Sequence, residues 1–419
     1  MAEALRFCMV TTFYPPYHFG GDAIYVHRLA QALASAGHRV DVIHSMDAYR
    51  LKRPAAPAGG FADHPNVTRH ALESASPRLA TLLAHQLGRP ARYGRRLRQL
   101  LERDYDVIHY HNISLMGAPE VLRLGRAVKL YTAHEYWLVC PTHVLFAFDR
   151  EACTAKRCLA CTLRYGRAPQ GWRYTPRLLR ALEHVDALLM PSRFAWERHR
   201  AEGISRPLVL LPHFVLDPTP PARRAAGTER PFFLYVGRLE KLKGVQDLVR
   251  LFAEERRADL LIAGDGSYRP TLESLAAGRP QVRFLGTVSP NRLEDLYARA
   301  VALLVPSLCY ETFGLTAAEA MSHGTPVIVR RIGALEEMLE QSGGGLGFGT
   351  LAECRQAIDR LLDDRGLRAS LGARGQAAVR AHWSRAGHLR GYLELVRSQQ
   401  AARRHAECPP SLAEVGVGA

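Results

Sequence analysis

The chain has 419 residues, 47% apolar and 23% charged, which is the balance of a folded protein with room for two domains of roughly 200 residues. No apolar run reaches the roughly 18 residues that a membrane-spanning helix needs, and MAEALRFCMVTTF lacks the basic-then-apolar pattern of a secretory signal. We therefore expect neither a transmembrane nor a secreted protein, and we predict a cytoplasmic location with reduced cysteine thiols.

The charge is strongly basic. The sequence contains 56 Lys and Arg against 40 Asp and Glu, a formal net charge of +16. Such an excess suits nucleic acid, an anionic membrane surface or a phosphorylated small molecule, although an arginine-rich solvated surface explains it as well. No recognised nucleic-acid-binding module or aromatic platform accompanies the charge, so we expect no nucleic-acid partner.

The first half of the chain alternates between apolar strands and amphipathic helices. The strand LRFCMVTT leads into the loop FYPPYHFGGDA, and a helical stretch that stops at Gly37 follows. Further apolar strands are expected at HRVDVIHS and at residues 106–112, 127–134, 186–192 and 207–213. Repeated strand–helix alternation with continuously apolar strands predicts a parallel sheet covered on both faces, over residues 1–213.

The densest positive charge lies between residues 89 and 103. The helical spacing of its leucines predicts a basic amphipathic helix with Arg92, Arg95, Arg96 and Arg98 on its polar side. This helix either contacts an anionic membrane peripherally or buries its leucines in the core while the arginines are solvated. The sequence favours neither alternative.

Two polar motifs of the first half are interpreted as structural. Asp104-Tyr105-Asp106 matches the D-x-D pattern of metal-dependent transferases, but it lies where the basic helix ends and a strand begins. His109 and His111 alternate along that strand, so we expect at most one of them to face a cleft.

Four of the eight cysteines are clustered in an insertion of about residues 140–161. Cys158 and Cys161 have the C-x2-C spacing of a zinc knuckle, and Cys140 and Cys153 complete four ligands for a structural zinc. His143 as the fourth ligand, an iron–sulfur cluster and buried free thiols are the alternatives. Because the segment follows His134 closely, we expect it to form a flap beside the cleft.

A second alternating series follows a Pro-, Arg- and Gly-rich stretch, residues 214–231, that reads as a linker. Strands and helices alternate again over residues 232–383, and we expect a second domain there. A long helix at 384–406 either belongs to this domain or packs back on the first, and residues 407–419 look disordered. The predicted fold class is α/β: two Rossmann-like, doubly wound parallel-sheet domains that face a central cleft, with the ligand at the carboxyl ends of the strands.

Charged residues lie in the loops that follow strands of the second domain, at the edge of the expected cleft. Arg238 and Lys243 follow one strand and suit a bound phosphate. After another strand, Glu311 lies in a loop, Gly314 begins a helix whose free N–H groups suit a phosphate, and Glu319 lies in the second helical turn. The two carboxylates are not on one helical face, so the spacing argues against an acid/base pair.

These residues resemble a known signature. Arg238 and Lys243, then Glu311-Thr-Phe-Gly-Leu-x3-Glu319 and GTPV from Gly324, look like the donor-binding signature of retaining glycosyltransferases of family 4, which have the GT-B fold. Gly20-Gly21 resembles the N-terminal glycine loop of the family, and His134 resembles its cleft histidine. GDG at 264–266 and LGTV at 285–288 fall where such enzymes contact the nucleotide.

The resemblance implies a role for each matching residue. Arg238 and Lys243 would neutralise the diphosphate leaving group, Glu311 would bind a sugar hydroxyl, and His134 would touch the transferred sugar. Glu319 would hold the ribose hydroxyls. The remaining donor-binding residues implied by the resemblance are Gly20, Gly21, Gly237, Gly264, Gly266, Leu285, Phe313, Gly314, Leu315 and Thr316.

The function implied by the resemblance is the transfer of a hexose, with retention at the anomeric carbon, from a UDP- or GDP-sugar to an acceptor such as a lipid-linked, polysaccharide or glycolipid precursor. The resemblance also implies that catalysis requires no metal or other cofactor. A sugar phosphorylase or epimerase of the same fold is one alternative, and a non-catalytic nucleotide-sugar-binding scaffold at a membrane is another. The sequence names neither the base nor the sugar nor the acceptor.

Overall fold

The computed structural model describes residues 4–51, 61–218 and 230–407. Its first half contains seven parallel strands in one sheet and a small antiparallel hairpin. The strands are β1 (Arg6–Val10), β2 (Arg39–Ser45), β3 (Val67–Leu72), β4 (Val107–Tyr110), β5 (Val128–Thr132), the hairpin β6 (Phe146–Ala147) and β7 (Glu151–Ala152), β8 (Ala187–Met190) and β9 (Leu208–Leu210). The helices are α1 (Gly21–Ser35), α2 (Met46–Arg50), α3 (Pro77–Leu87), α4 (Gly94–Leu101), α5 (Cys158–Arg164), α6 (Arg177–Leu182) and α7 (Arg193–Ala201).

The sheet order is β3-β2-β1-β4-β5-β8-β9, so the chain direction across the sheet reverses between β1 and β4. Alternate residues of β1 enter different cores, because successive side chains of a strand point to opposite faces. Phe7 and Met9 pack in one hydrophobic layer, whereas Cys8 and Val10 pack in the other. All four side chains are fully buried, as expected for a central strand covered on both faces.

The second half repeats this plan with six parallel strands in the order β12-β11-β10-β13-β14-β15. They are β10 (Phe232–Val236), β11 (Asp259–Ala263), β12 (Val282–Gly286), β13 (Leu303–Val305), β14 (Val327–Arg330) and β15 (Gly345–Phe348). The helices are α8 (Val245–Phe252), α9 (Arg269–Leu275), α10 (Pro290–Arg299), α11 (Leu315–Ser322), α12 (Ala334–Ser342), α13 (Leu351–Asp363), α14 (Arg365–His382) and α15 (Arg385–Glu407). Two facing doubly wound sheets confirm the predicted fold class.

Strand β15 was missed because its sequence, GLGF, is rich in glycine, which is a weak strand former. Close packing explains the glycine at its start. A Cβ atom on Gly345 would lie 2.1 Å from the carbonyl oxygen of Val327, its partner on β14. Helices α12 and α14 were also not predicted.

The long C-terminal helix α15 packs back on the first sheet. The Tyr392 hydroxyl lies 3.0 Å from Nδ1 of His109, and Nε2 of His388 lies 2.9 Å from the Tyr25 hydroxyl. Near the end of the helix, Arg403 pairs with Asp186 at 2.8 Å. The predicted linker lies largely outside the described residues, as does the tail from residue 408. Phe214 and Val215, at the start of that linker, are buried.

The basic helix α4 buries its apolar side in the protein core. Leu97, Leu100 and Leu101 are almost completely buried, while Arg95, Arg96 and Arg98 are exposed. The leucines are therefore not free to insert into lipid, and the outward face of the helix consists of these arginines and Gln99. None of the described helices is long and apolar enough to cross a membrane.

His109 and His111 do not alternate between the two faces of their strand, so the premise of the expectation that at most one of them faces a cleft was wrong. Residues two apart on a strand share a face, and the two imidazole rings lie 4.0 Å apart between their centroids. Both are buried, and burial is the main reason that their pKa values lie well below 6.5. They are therefore neutral imidazoles in the folded protein at neutral pH.

Folding stability should fall below pH 6.5, because unfolded histidine binds a proton that buried His109 cannot. His109→Gln keeps a polar group near Thr132, which His109 contacts at 2.8 Å, but cannot titrate. Between pH 7.5 and pH 5.0, the wild type should lose up to about 2 kcal/mol more unfolding free energy than this variant, at about 1.36 kcal/mol per pH unit below 6.5. Denaturant unfolding at each pH measures this free energy. The control is His405→Gln, which replaces an exposed histidine. Parallel pH curves for His109→Gln and the wild type would contradict the prediction.

Candidate active site

The site lies where the carboxyl ends of the central strands of the two sheets face each other. Residues after β5 contact residues after β13: the Tyr136 hydroxyl donates to the carbonyl of Glu311 at 3.0 Å, and the Thr312 hydroxyl donates to the carbonyl of His134 at 2.9 Å. The loop after β13 adjoins the point where strand order reverses in the second sheet, between β10 and β13, which is the usual ligand position in doubly wound folds. The loop after β5 lies one strand beyond the corresponding point of the first sheet, between β1 and β4. The predicted cleft residues are thus brought together from both halves.

Lys243 and Glu311 form a direct ion pair. Nζ of Lys243 lies 2.7 Å from Oε1 of Glu311, and the Ser307 hydroxyl donates to the same oxygen at 2.6 Å. The two side chains are only 18% and 22% exposed. Burial favours the neutral form of each, but the opposite charge outweighs it: the pKa of Glu311 is lowered and the pKa of Lys243 is raised. The site therefore holds both charges at neutral pH.

Arg238 supplies a second cation. It follows Gly237 at the end of β10, and its Nη1 lies 2.9 Å from Oε1 of Glu240. About half of its side chain, 47%, is exposed. Part of the guanidinium thus remains accessible for an anion, since its five N–H donors exceed what one carboxylate oxygen accepts.

Helix α11 begins at the predicted position. Gly314 precedes it with φ of 103°, a conformation that favours glycine, and a Cβ there would lie 2.8 Å from Leu335 Cδ2. Leu315 and Thr316 occupy the first turn, where backbone N–H groups have no intrahelical acceptor. Phe313 anchors the turn, with its ring 5.5 Å from that of His213. The helix start is therefore fixed in position with N–H groups free for an anion.

Glu319 joins the two halves of the protein. Its Oε1 accepts a hydrogen bond from Arg28 on α1 at 2.7 Å, and its Oε2 accepts one from the Tyr297 hydroxyl on α10 at 2.9 Å. Each carboxylate oxygen has two lone pairs, so both retain capacity for a further hydroxyl donor. Neither Arg28 nor Tyr297 was identified from the sequence, since nothing in their local pattern marks them.

His134 is the middle member of a chain of three imidazoles. Its Nε2 lies 2.9 Å from Nδ1 of His111, and its Nδ1 lies 3.2 Å from Nε2 of His213. Burial lowers the pKa of His134 to about 4. Both ring nitrogens are therefore engaged by neutral neighbours, and contact with a ligand at this position would use the ring edge or face. His111 and His213 were not assigned to the site from the sequence.

The N-terminal glycines face the start of α11. Gly21 is the first residue of α1, and a Cβ on it would come within 3.7 Å of the Leu315 side chain. Gly20 precedes it in extended backbone. Asp22, the second residue of α1, accepts a hydrogen bond from Asn112 Nδ2 at 3.1 Å, which ties the start of α1 to the loop after β4.

The glycines of the second half allow loops to pack in contact. A Cβ on Gly264 would lie 1.9 Å from the carbonyl oxygen of Gly237, and one on Gly266 would lie 2.3 Å from that of Leu239. These glycines thus have a packing role beside the Arg238 loop. Leu285 lines a cavity of about 400 Å³ that is bordered by β10 to β12 and α10.

Residue types that commonly bind metal ions occur together in two places, the cysteine cluster and the D-x-D motif. In the described ranges, no three His, Cys, Asp or Glu side chains are grouped closely enough to hold an ion as they stand. Cys140, Cys153, Cys158 and Cys161 nevertheless line one small cavity. The D-x-D motif lies at the amino end of β4, away from the cleft, where Asp106 accepts a hydrogen bond from the backbone N–H of Arg6 at 2.7 Å.

Comparison with known proteins gives the family. The profile of Glycosyltransferase Family 4 matches residues 19–216, and the profile of Glycosyl transferases group 1 matches residues 219–378. An uncharacterized glycosyltransferase of Methanocaldococcus jannaschii is 27% identical over 87% of this chain and 90% of its own.

Two solved structures show the same fold. Sucrose-phosphate synthase from Thermosynechococcus elongatus has a TM-score of 0.74 at 22% identity and covers 95% of this chain and 100% of its own. HepE of Anabaena, solved with UDP-glucose, has a TM-score of 0.66 at 16% identity over 94% of this chain and 100% of its own. The two profiles meet near the junction of the two sheets and together span most of the sequence. The chain therefore belongs to the family 4 glycosyltransferases, with the GT-B fold.

Proposed function

We propose that the protein transfers a hexose from a nucleotide diphosphate sugar to an acceptor hydroxyl, with retention at the anomeric carbon. The observation that carries the proposal is the Lys243–Glu311 ion pair beside Arg238 and the start of α11. Cations and N–H donors in one place suit the diphosphate of a donor. HepE of Anabaena, which shares the fold, was solved with UDP-glucose, and this supports a UDP-sugar as the first donor to test.

In the proposed step, the bond between the anomeric carbon and the diphosphate oxygen breaks, and its electron pair stays on the oxygen. Lys243, Arg238 and the N–H groups of the first turn of α11 stabilise the negative charge that develops there. The acceptor oxygen bonds to the same face of the sugar, and its proton passes to the leaving phosphate. Glu311 binds a sugar hydroxyl, while Glu319 binds the ribose through its remaining lone pairs.

Retention without a covalent enzyme intermediate is part of the proposal. Asp22 and Glu135 are carboxylates close to His134, and each already has a partner. Asp22 accepts from Asn112, and Glu135 lies 3.1 Å from Nδ1 of His143. We also propose that catalysis requires no metal, because preorganised cations of the chain itself face the leaving group.

The donor-site assignment predicts that Lys243→Ala and Glu311→Ala each lower the rate of transfer at least about 100-fold. Loss of one charge-stabilising donor costs about 3–4 kcal/mol, or roughly 100- to 1000-fold in kcat. Each variant also leaves its partner charge unpaired, so Glu311→Gln, which keeps hydrogen-bonding atoms for Ser307 and Lys243, separates loss of charge from loss of the side chain. Release of nucleotide diphosphate measures turnover.

Arg250→Ala is the matched control, since it removes an exposed cation from α8, the helix that follows Lys243. It should retain full turnover. Circular dichroism and the melting temperature check that every variant is folded. Turnover at the wild-type rate in Lys243→Ala or Glu311→Ala would overturn the assignment.

A thermal-shift screen tests the donor class directly. A ligand that binds only the native state raises Tm because it stabilises that state. At a ligand concentration 100 times Kd, the added free energy of unfolding is about 2.7 kcal/mol. We expect a UDP- or GDP-sugar to raise Tm of the wild type and to raise that of Lys243→Ala much less. No shift with any nucleotide-sugar or nucleotide diphosphate would contradict the proposed function.

The acceptor is proposed to be a lipid-linked or polysaccharide precursor at the cytoplasmic face of a membrane. The support is the set of outward-facing arginines on and before α4, which complements anionic headgroups. The contact would be electrostatic and peripheral, because the leucines of this helix belong to the core.

The membrane proposal predicts salt-sensitive binding to anionic vesicles. Changing Arg92, Arg95, Arg96 and Arg98 together to Ser should weaken co-sedimentation with phosphatidylglycerol vesicles, at about 1 kcal/mol per cation near the surface. The control changes an equal number of exposed arginines of the second half, Arg360, Arg365, Arg374 and Arg380, to Ser. Equal binding by the two quadruple variants would leave only the solvated-surface interpretation.

A further inference from the structure

The four clustered cysteines converge on one cavity. Cys140 precedes the β6–β7 hairpin, Cys153 directly follows it, and Cys158 and Cys161 lie on α5. All four line a single cavity of about 20 Å³. Two separate parts of the segment thus bring their thiols to one cavity, and this cavity has no role in the donor site.

The size and lining of the cavity select the occupant. A single water needs about 10–15 Å³, so a cavity of about 20 Å³ has room for one ion but not for an iron–sulfur cluster of several atoms. Four sulfur ligands without a carboxylate or amide in the set suit Zn²⁺ in tetrahedral coordination. We propose that Cys140, Cys153, Cys158 and Cys161 bind one structural Zn²⁺.

The thiols must turn toward the centre of the cavity to complete the site. Cys140 Sγ lies 3.3 Å from the Thr142 hydroxyl, and Cys153 Sγ donates to the carbonyl of Ala155 at 3.6 Å. These weak local contacts are given up when the two thiols turn to the ion. The backbone N–H of Phe148 already donates to Cys161 Sγ at 3.3 Å, a bond that a metal-bound thiolate keeps and strengthens.

The charges around the cavity also suit a zinc ion bound by four thiolates. Four thiols lose their protons to solvent as four Zn–S bonds form, which leaves the centre with a net charge of −2. Arg157 lines the cavity, and Arg198 donates to the backbone carbonyl of Cys153 at 2.9 Å. These two guanidinium groups lie where they compensate the negative centre.

The segment between Cys140 and Cys161 would gain folding stability from a bound metal ion. Among the described residues, the non-glycine residues with positive φ are His143, Leu145, Phe148 and Asp149, a backbone conformation that destabilises residues with a side chain. Regular structure here consists of two-residue strands and a seven-residue helix. Metal binding supplies folding free energy to segments with too little core of their own.

The ion would hold the hairpin against the donor loop. At the hairpin turn, Oδ2 and the carbonyl of Asp149 accept from Lys241 Nζ at 2.9 and 2.8 Å, two residues before Lys243. Phe146 packs in one cluster with Leu242 and Cys309. Loss of the ion should therefore loosen the flap and weaken donor binding without removing any residue of the donor site.

The test is the zinc content of the full chain, purified without a metal-affinity tag or chelator and measured by inductively coupled plasma mass spectrometry. We expect about one zinc per chain in the wild type. We expect almost none in Cys158→Ala/Cys161→Ala and about one in Cys354→Ala, which removes a buried thiol of α13. The measurement requires no turnover, so it stands apart from the proposed reaction.

If the double variant does not fold, measurements on the wild-type protein alone still test the proposal. Modification of its thiols with a mercurial reagent should release one zinc, detected by a chromophoric chelator, and should speed proteolysis between residues 140 and 165 several-fold. Zinc-free protein whose four thiols are all freely alkylated would overturn the proposal. So would bound iron or a disulfide in this segment, detected as colour or as a mass loss.

Discussion

The arrangement of the cleft depends on the ion pair between Lys243 and Glu311. Two opposite charges that are each about four-fifths buried are stable only together, because removal of one leaves the other desolvated and unpaired. The pair fixes the loop after β10 against the loop after β13. The backbone carbonyl of Glu311 then accepts from Tyr136, so the same loop also holds the first half of the molecule.

Several other contacts between the halves also join polar groups on loops and helix ends. Arg28 on α1 reaches Glu319 on α11, and Thr312 reaches the carbonyl of His134. Farther from the cleft, Glu337 accepts from the backbone N–H groups of Arg193 and Phe194 at 2.8 Å, and so caps α7 from the other half. Contacts of this polar kind are individually weak, which is compatible with opening of the cleft for ligand exchange.

Parts of the site that depend on local sequence were predictable, and parts that depend on packing were not. Glu311, Gly314 and Glu319 follow a strand and open a helix, so their order along the cleft was clear from the chain. The partners Ser307, Arg28 and Tyr297 carry no local signal, because they meet these residues only through the crossing of strands and helices. The face shared by His109 and His111 was available from strand periodicity and was misread.

The sequence alone determined the fold class, through two series of apolar strands alternating with amphipathic helices, and it determined the family through the motifs between residues 238 and 327. These features are local, since hydrophobic periodicity and turn chemistry act within a few residues. Only the tertiary structure decided that Lys243 pairs with Glu311, that α4 buries its leucines, and that four cysteines line one cavity. Each of these depends on which surfaces meet when the sheets and helices pack, and free energy of burial is a property of the assembled core.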